Sequence, residues 1–261
     1  MIKRKNTKNK LYLLPSFFLA TALIFGQYKP TVPDSEKNSA SSVLEQQILQ
    51  ETAKAQTVMF GEMHSLPQKE NPYFKIVIPL LPKLKEQGFN YFAVEVPRKH
   101  QDLVDKVASN TLNREEYVNE ICNREQISKE MLLSEGFYSV INSAGENGMK
   151  VVAYDTSWEE DATIRDSGQF RNLKGSIFNK YPNSRVVIYC GEMHVGEESY
   201  FAIVCTEEIK EDKIILDVIN KEVFPLGSFL SKYTKDKNFS LDMVNVNNSA
   251  DAKIIRGKLK R

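Results

Sequence analysis

Val58-Met59-Phe60-Gly61-Glu62-Met63-His64 and Val187-Ile188-Tyr189-Cys190-Gly191-Glu192-Met193-His194 are two versions of one element. Each is a short apolar run, β-branched and aromatic, that stops at a glycine and continues Glu-Met-His. The second copy carries one extra residue, Cys190, before its glycine. The pattern reads as a buried strand whose C-terminal end opens into a tight turn bearing ionisable side chains. Parallel α/β sheets place their chemistry at that edge. The chain has 3 histidines, and His64 and His194 fall at these two strand ends.

Working outward, Thr57–Phe60, Asn90–Val94, Lys150–Tyr154 and Arg185–Cys190 form a series of four strands separated by helical stretches. That alternation predicts an α/β fold with a mainly parallel central sheet flanked by helices. A leading amphipathic helix is expected over Val43–Ala55, and another over Tyr73–Gln87, kinked by Pro79 and Pro82 and stopped at Gly88. Residues 98–147, between strands 2 and 3, exceed what one crossover needs. They predict a helical insert acting as a lid, with pieces at Lys99–Ala108, Arg114–Asn123 and Glu125–Asn142. A further helix is expected within Trp158–Tyr181. Tyr200–Cys205, Lys213–Val218 and Ser240–Val246 are strand candidates, as antiparallel edges or as continued sheet.

The remaining segments set the domain organisation. Residues 1–26 combine a basic stretch with the apolar run Leu11–Gly26, the pattern of an export signal, or of a membrane tether through residues 11–26 if it is not cleaved. Secretion or a periplasmic location is the expectation. Residues 27–42 are rich in Pro, Ser, Asn and Lys and read as a flexible linker, leaving 43–261 as a single α/β domain. The net charge of +1 hides an acidic remainder, because Lys3, Arg4, Lys5, Lys8 and Lys10 lie in a stretch without acids. Such a charge pattern is not that of a nucleic-acid surface. Cys122, Cys190 and Cys205 have no C-x-x-C spacing, and the sequence does not choose a pair for a disulfide. Cys190 reads as a packed thiol or as a nucleophile beside His194.

The strand ends carry Glu62 and His64, then Glu95, then Asp155, then Glu192 and His194. Parallel strands would bring them to one rim, with Arg165 reaching over from the following helix. Three chemistries suit that set. A divalent metal held by His64, His194 and Glu95 could activate water. A histidine held basic by Glu62 or Glu95 could act as general base, with Arg165 or the other histidine stabilising an oxyanion. Exposed imidazoles could instead ligate haem iron. Glu62 is preferred to Glu192 as the working acid, and Asp155 is read either as a site residue or as an Asx cap. His100, in a polar stretch, is expected to face solvent. Gly61 and Gly191 mark a positive φ or a close approach.

Two G-x-x-H motifs around a strand-end glutamate, here Gly61–His64, Gly191–His194 and Glu95, resemble the superfamily of erythromycin esterases, ChaN-like haem-binding lipoproteins, TraB and Tiki proteins. Arg165-Asp166 is similar to the arginine–acid pair that opens the helix before the last motif in that superfamily. The export segment and the GE-x-H form are most similar to the ChaN-like branch. The resemblance implies a site at His64, Glu62, Glu95, His194, Arg165 and Asp155. It also implies a hydrolase of esterase or metallopeptidase type, a haem or iron-porphyrin carrier using His64 and His194, or a non-catalytic interaction module. The ligand would be a small molecule, a peptide or a porphyrin, and the cofactor a divalent metal or haem.

Overall fold

A computed structural model describes residues 45–62, 73–125, 135–157, 162–196, 200–210 and 213–243. The export segment, the linker and His64 lie outside the described residues. The strands are β1 (Thr57–Glu62), β2 (Phe89–Pro97), β3 (Lys150–Asp155), β4 (Arg185–Gly191), β5 (Tyr200–Lys210), β6 (Lys213–Val223) and β7 (Asn238–Asp242). Five of them make one sheet in the order β3-β2-β4-β1-β7, parallel throughout. The expected α/β architecture is therefore the one observed. Among the described residues β5 and β6 pair only with each other, antiparallel. Their near-contiguity in sequence allows a hairpin, which a parallel pair cannot form.

The helices are α1 (residues 45–52), α2 (Tyr73–Val77), α3 (Leu81–Glu86), α4 (Gln101–Ala108), α5 (Arg114–Glu125), α6 (Glu135–Glu146), α7 (Ala162–Leu173) and α8 (Leu226–Thr234). The single kinked helix expected over Tyr73–Gln87 is two helices joined by a 3₁₀ turn, Ile78–Leu80. Pro79 and Pro82 each stand in the first turn of the segment they open, where the missing N–H costs nothing. Gly88, with φ of 92°, ends the second helix as its sequence position predicts. α8 was not anticipated. Pro225 just ahead of it and Leu226 and Leu230 one turn apart were its signals.

Alternation along the strands divides the core into two layers. Val58, Phe60, Phe92, Val94, Val187 and Tyr189 face one side, with the buried faces of α2, α3, α4 and α6. Met59, Ala93, Tyr154, Ile188 and Cys190 face the other, with α8 and the C-terminal end of α7. The insert after β2 is helical, as expected. Its α4 and α6 belong to the layer on the sheet, so close that a Cβ on Gly145 would lie 2.0 Å from the Ala108 carbonyl oxygen. α5 is fastened to α4 by Arg124, which forks onto Asp102 at 2.8 and 2.9 Å. Cys122 and Cys190 are buried in different layers.

His100 does not face solvent. The 3₁₀ turn Arg98–His100 that follows β2 rolls its ring inward to 1% exposure, where Nε2 pairs with the Glu125 carboxylate at the end of α5. The polar neighbourhood in sequence gave the wrong side because the partner that makes burial possible, Glu125, lies 25 residues further on.

Candidate functional site

Register explains how the two repeated motifs come to differ. Val58, Met59 and Phe60 pair with Val187, Ile188 and Tyr189, so the strands start in step. The extra residue then sets Gly61 against Cys190 and Glu62 against Gly191. The first motif is still strand at Glu62, whereas the second has left the sheet and turns through Glu192–His194 as a 3₁₀ turn. Gly61 is needed for close approach: a Cβ there would lie 2.7 Å from Val195 Cγ1 and 3.0 Å from Glu192 Cα. Gly191 has φ of −65°, so no positive φ is involved. Its amide is what matters, as it donates to Glu95 Oε2 at 2.6 Å. Gly61→Ala is accordingly expected to cost about 1–3 kcal/mol by overpacking against the second motif. Urea unfolding would check it, and a cost near zero would mean the two motifs do not press on each other.

Around that turn the structure gathers five charged side chains. Glu95 projects where the β2–β3 register slips between Val94 and Pro97. Its Oε1 accepts from Arg165 Nη2 at 2.7 Å and lies 3.0 Å from His194 Nε2. Arg165 spans from Glu95 to Asp155, donating Nε to Oδ1 at 3.0 Å and Nη2 to Oδ2 at 2.5 Å. Asp155 Oδ1 also accepts from Gln169 Nε2 at 2.9 Å and from the Thr156 amide at 2.8 Å, so it is both a cap and a member of the cluster. His194 Nδ1 meets Asp166 Oδ1 at 2.6 Å. Arg165 and Asp166 are neighbours in one turn of α7, and Gln169 follows one turn later.

Electrostatics fix the charge states of the two cations. Burial alone would lower the pKa of His194; the charge of Glu95 and the hydrogen bonds to Asp166 and Glu95 overcome it and raise it to about 10. Burial likewise opposes the charge of Arg165, yet the Asp155 hydrogen bond and the charges of Glu95 and Asp155 lift its pKa above the ordinary value. Both are cations at neutral pH. Cys190 is the reverse case. Its thiol is fully buried, 3.9 Å from the Phe60 carbonyl, and burial followed by the Glu95 charge pushes its pKa well up. It is a packed thiol, and its burial opposes the thiolate that a nucleophile beside His194 would need.

Of the residues singled out in sequence, Glu95, Asp155, Arg165 and His194 are brought together. Glu62 is not among them. It is in step with Phe60 and points to the opposite face of the sheet, where it accepts from the Tyr189 hydroxyl. Asp166, not chosen as a site residue from sequence, is central. The arginine–acid pair was its signal. Metal or haem ligation needs a ring nitrogen with an unengaged lone pair. Both nitrogens of His194 face carboxylates, and both oxygens of Glu95 are engaged by donors. With Nδ1 held by Asp166, only Nε2 of His194 could face a metal or a haem iron, and it would give up its 3.0 Å contact with Glu95 to do so. Among the described residues, no group of three or more His, Cys, Asp or Glu is arranged to hold a metal ion.

No protein-family model matches the chain, and no curated protein matches it. Solved structures do. The C-terminal region of Pasteurella multocida toxin, described with a thiol-protease-like catalytic triad, aligns at 10% identity and a TM-score of 0.50 over 78% of this chain and 26% of that one. RRSP, a MARTX toxin effector domain from Vibrio vulnificus CMCP6, aligns at 14% identity and 0.44 over 84% and 40%. The haem-binding ChaN of Campylobacter jejuni aligns at 14% identity and 0.41 over 76% and 84%. The match at 0.50 is a likeness of fold. The chain spans about 40% of the length of the first toxin structures it matches.

Proposed function

We propose that the strand-edge cluster is the active site of an exported hydrolase that works by acid–base and electrostatic catalysis on its own side chains. One observation carries this reading. The side chains of Arg165 and His194 are 20% and 12% exposed, while the carboxylates behind them, Glu95, Asp155 and Asp166, are 2%, 0% and 5% exposed. Buried acids thus hold two cations in place and leave the cationic edges toward solvent. An oxygen gaining negative charge in a tetrahedral intermediate would meet those edges first, in a site already oriented for it. The Nδ1–H of His194 is committed to Asp166 at 2.6 Å. The longer 3.0 Å contact of Nε2 with Glu95 is the side an incoming oxygen can share.

In this reading water is the nucleophile. His64, two residues beyond the end of β1, takes its proton as general base. The new carbon–oxygen bond forms as the carbonyl π electrons move onto the oxygen facing Arg165 and His194. Collapse breaks the bond to the leaving oxygen or nitrogen, which receives the proton from His64. Neither His194 nor Glu95 is asked to bind a metal. Small esters and peptides are the substrate classes that suit the reaction.

The test is hydrolysis of p-nitrophenyl esters, lactones and peptides by purified protein dialysed against chelator. Activity is expected to survive dialysis. Arg165→Met and His194→Gln are each expected to lower kcat by about 10²–10³, the size of a lost oxyanion donor. Chelator-abolished activity restored by a divalent metal would overturn the reading. So would full activity in both variants.

A further inference from the structure

Asp166 differs from Glu95 and Asp155 in that the backbone amide it accepts from opens a helix. Oδ1 accepts from His194 Nδ1 at 2.6 Å and also from the backbone amide of Leu226 at 2.8 Å. Leu226 is the first residue of α8, whose N-cap is Pro225 and has no side-chain cap. An orphan amide of that first turn is therefore satisfied by a carboxylate 60 residues upstream, itself 4% exposed. The next residue of α8 presses on the same turn from another side. A Cβ on Gly227 would lie 2.6 Å from the carbonyl oxygens of both Val195 and Gly196, immediately after His194. Val195 in turn fills the space above Gly61. The ring of His194 is thus held by α7 through Asp166, its backbone by α8 and by the end of β1.

We propose that Asp166 is a positioning residue, which orients the His194 ring and seats the N-terminus of α8 through one shared oxygen, so that α8 is a working part of the site. Its role in turnover rests on the hydrolytic reading; its placement does not. Asp166 does not touch reacting atoms. It acts by fixing which ring nitrogen is turned away from solvent and by locking the turn that carries the ring. A shift of α8 along its axis would pull the carboxylate and rotate the imidazole, because both bonds end on the same oxygen.

Proton NMR and hydrogen exchange on the full chain test this. In the parent protein the Nδ1–H of His194 is expected as a slowly exchanging resonance far downfield, absent from His194→Gln. Asp166→Ala is expected to remove that resonance and to speed exchange of the Leu226 amide about fivefold, the size of a lost cap. Its kcat is expected to fall about tenfold or more with KM little changed. Asp166→Asn, which keeps an acceptor for Leu226 and is the less disruptive change, should retain amide protection while the imidazole proton moves upfield. Loss of either signal without the other in Asp166→Ala would overturn the shared-oxygen coupling. An unchanged imidazole resonance in both variants would overturn the positioning role. A variant that lost both signals yet kept its kcat would leave the placement standing and would overturn the role of Asp166 in turnover, whereas a parent protein with no hydrolysis at all would count against the hydrolytic reading.

Discussion

Glu95→Gln is expected to lower the unfolding free energy by about 3 kcal/mol, at the lower end of what breaking a buried ion pair costs. The lower end applies because Arg165 and His194 keep some contact with water. Oε1 of Glu95 serves two cations, and Oε2 accepts from the Gly191 amide. An amide in that place has one acceptor. Turned either way, its NH₂ faces a donor: the Gly191 N–H in one orientation, Arg165 and His194 in the other. Urea unfolding at neutral pH with an unchanged m-value would measure the loss. Asp102→Asn is the control, since it removes an exposed pair with Arg124 and should cost under about 1 kcal/mol. If the two variants lost equal stability, the cluster would not be a coupled buried network. Hydrolysis by Glu95→Gln should fall with the stability, because the cations lose the charge that holds them.

Raising the pH from about 6.5 to 9 is expected to destabilise the protein, through His194. The pKa of its folded form is raised to about 10 from the ordinary 6.5. Below 6.5 the ring is charged in both states, and the contribution of its two carboxylates is fully present. As pH climbs, the unfolded chain releases this proton and the folded one keeps it, so stability declines until the folded form also lets go near 10. The whole span is worth on the order of 3–5 kcal/mol, and most of it falls before pH 9. Buried Cys190, Tyr154 and Tyr189 have raised values too, from ordinary positions of 9.0, 10.0 and 10.0. Their destabilising effect begins only where those groups ionise in the unfolded chain, near pH 9 and above. Unfolding curves at pH 6, 7 and 8, below the onset of the Cys190 and tyrosine effects, isolate the His194 contribution, and His194→Gln should flatten it. A parent protein equally stable at all three would mean that the ring is not held as a cation.

Much of this arrangement was legible in the sequence for a physical reason. β1 and β4 are buried on both faces, so their apolar runs are continuous and end sharply at glycine. Glu95 announced itself because a carboxylate closing such a run needs partners. What sequence did not convey was the side of the sheet. Glu62 is two residues from a histidine and closes a strand, yet period-two alternation from Phe60 sends it to the Tyr189 face. It also did not convey that both nitrogens of His194 would meet acids. Asp166 reaches it from α7 and Glu95 from β2, and nothing local to Gly191–His194 encodes either. α8 is short, and its role depends on a contact with residue 166 that no local pattern can announce.

The strand order bears on how the chain comes off the ribosome. β1, made first, is flanked in the sheet by β4 and β7, the fourth strand and the last among the described residues. The first edge of β1 closes only once β4, ending at Gly191, is made, and the second only with β7, so the N-terminal third has no native pairing of its own to settle into. Such sequence-distant pairing slows folding and leaves an apolar strand unpaired meanwhile. The nascent VMFGE run is therefore an unpaired apolar strand until β4 is made, and keeps one open edge until residue 242.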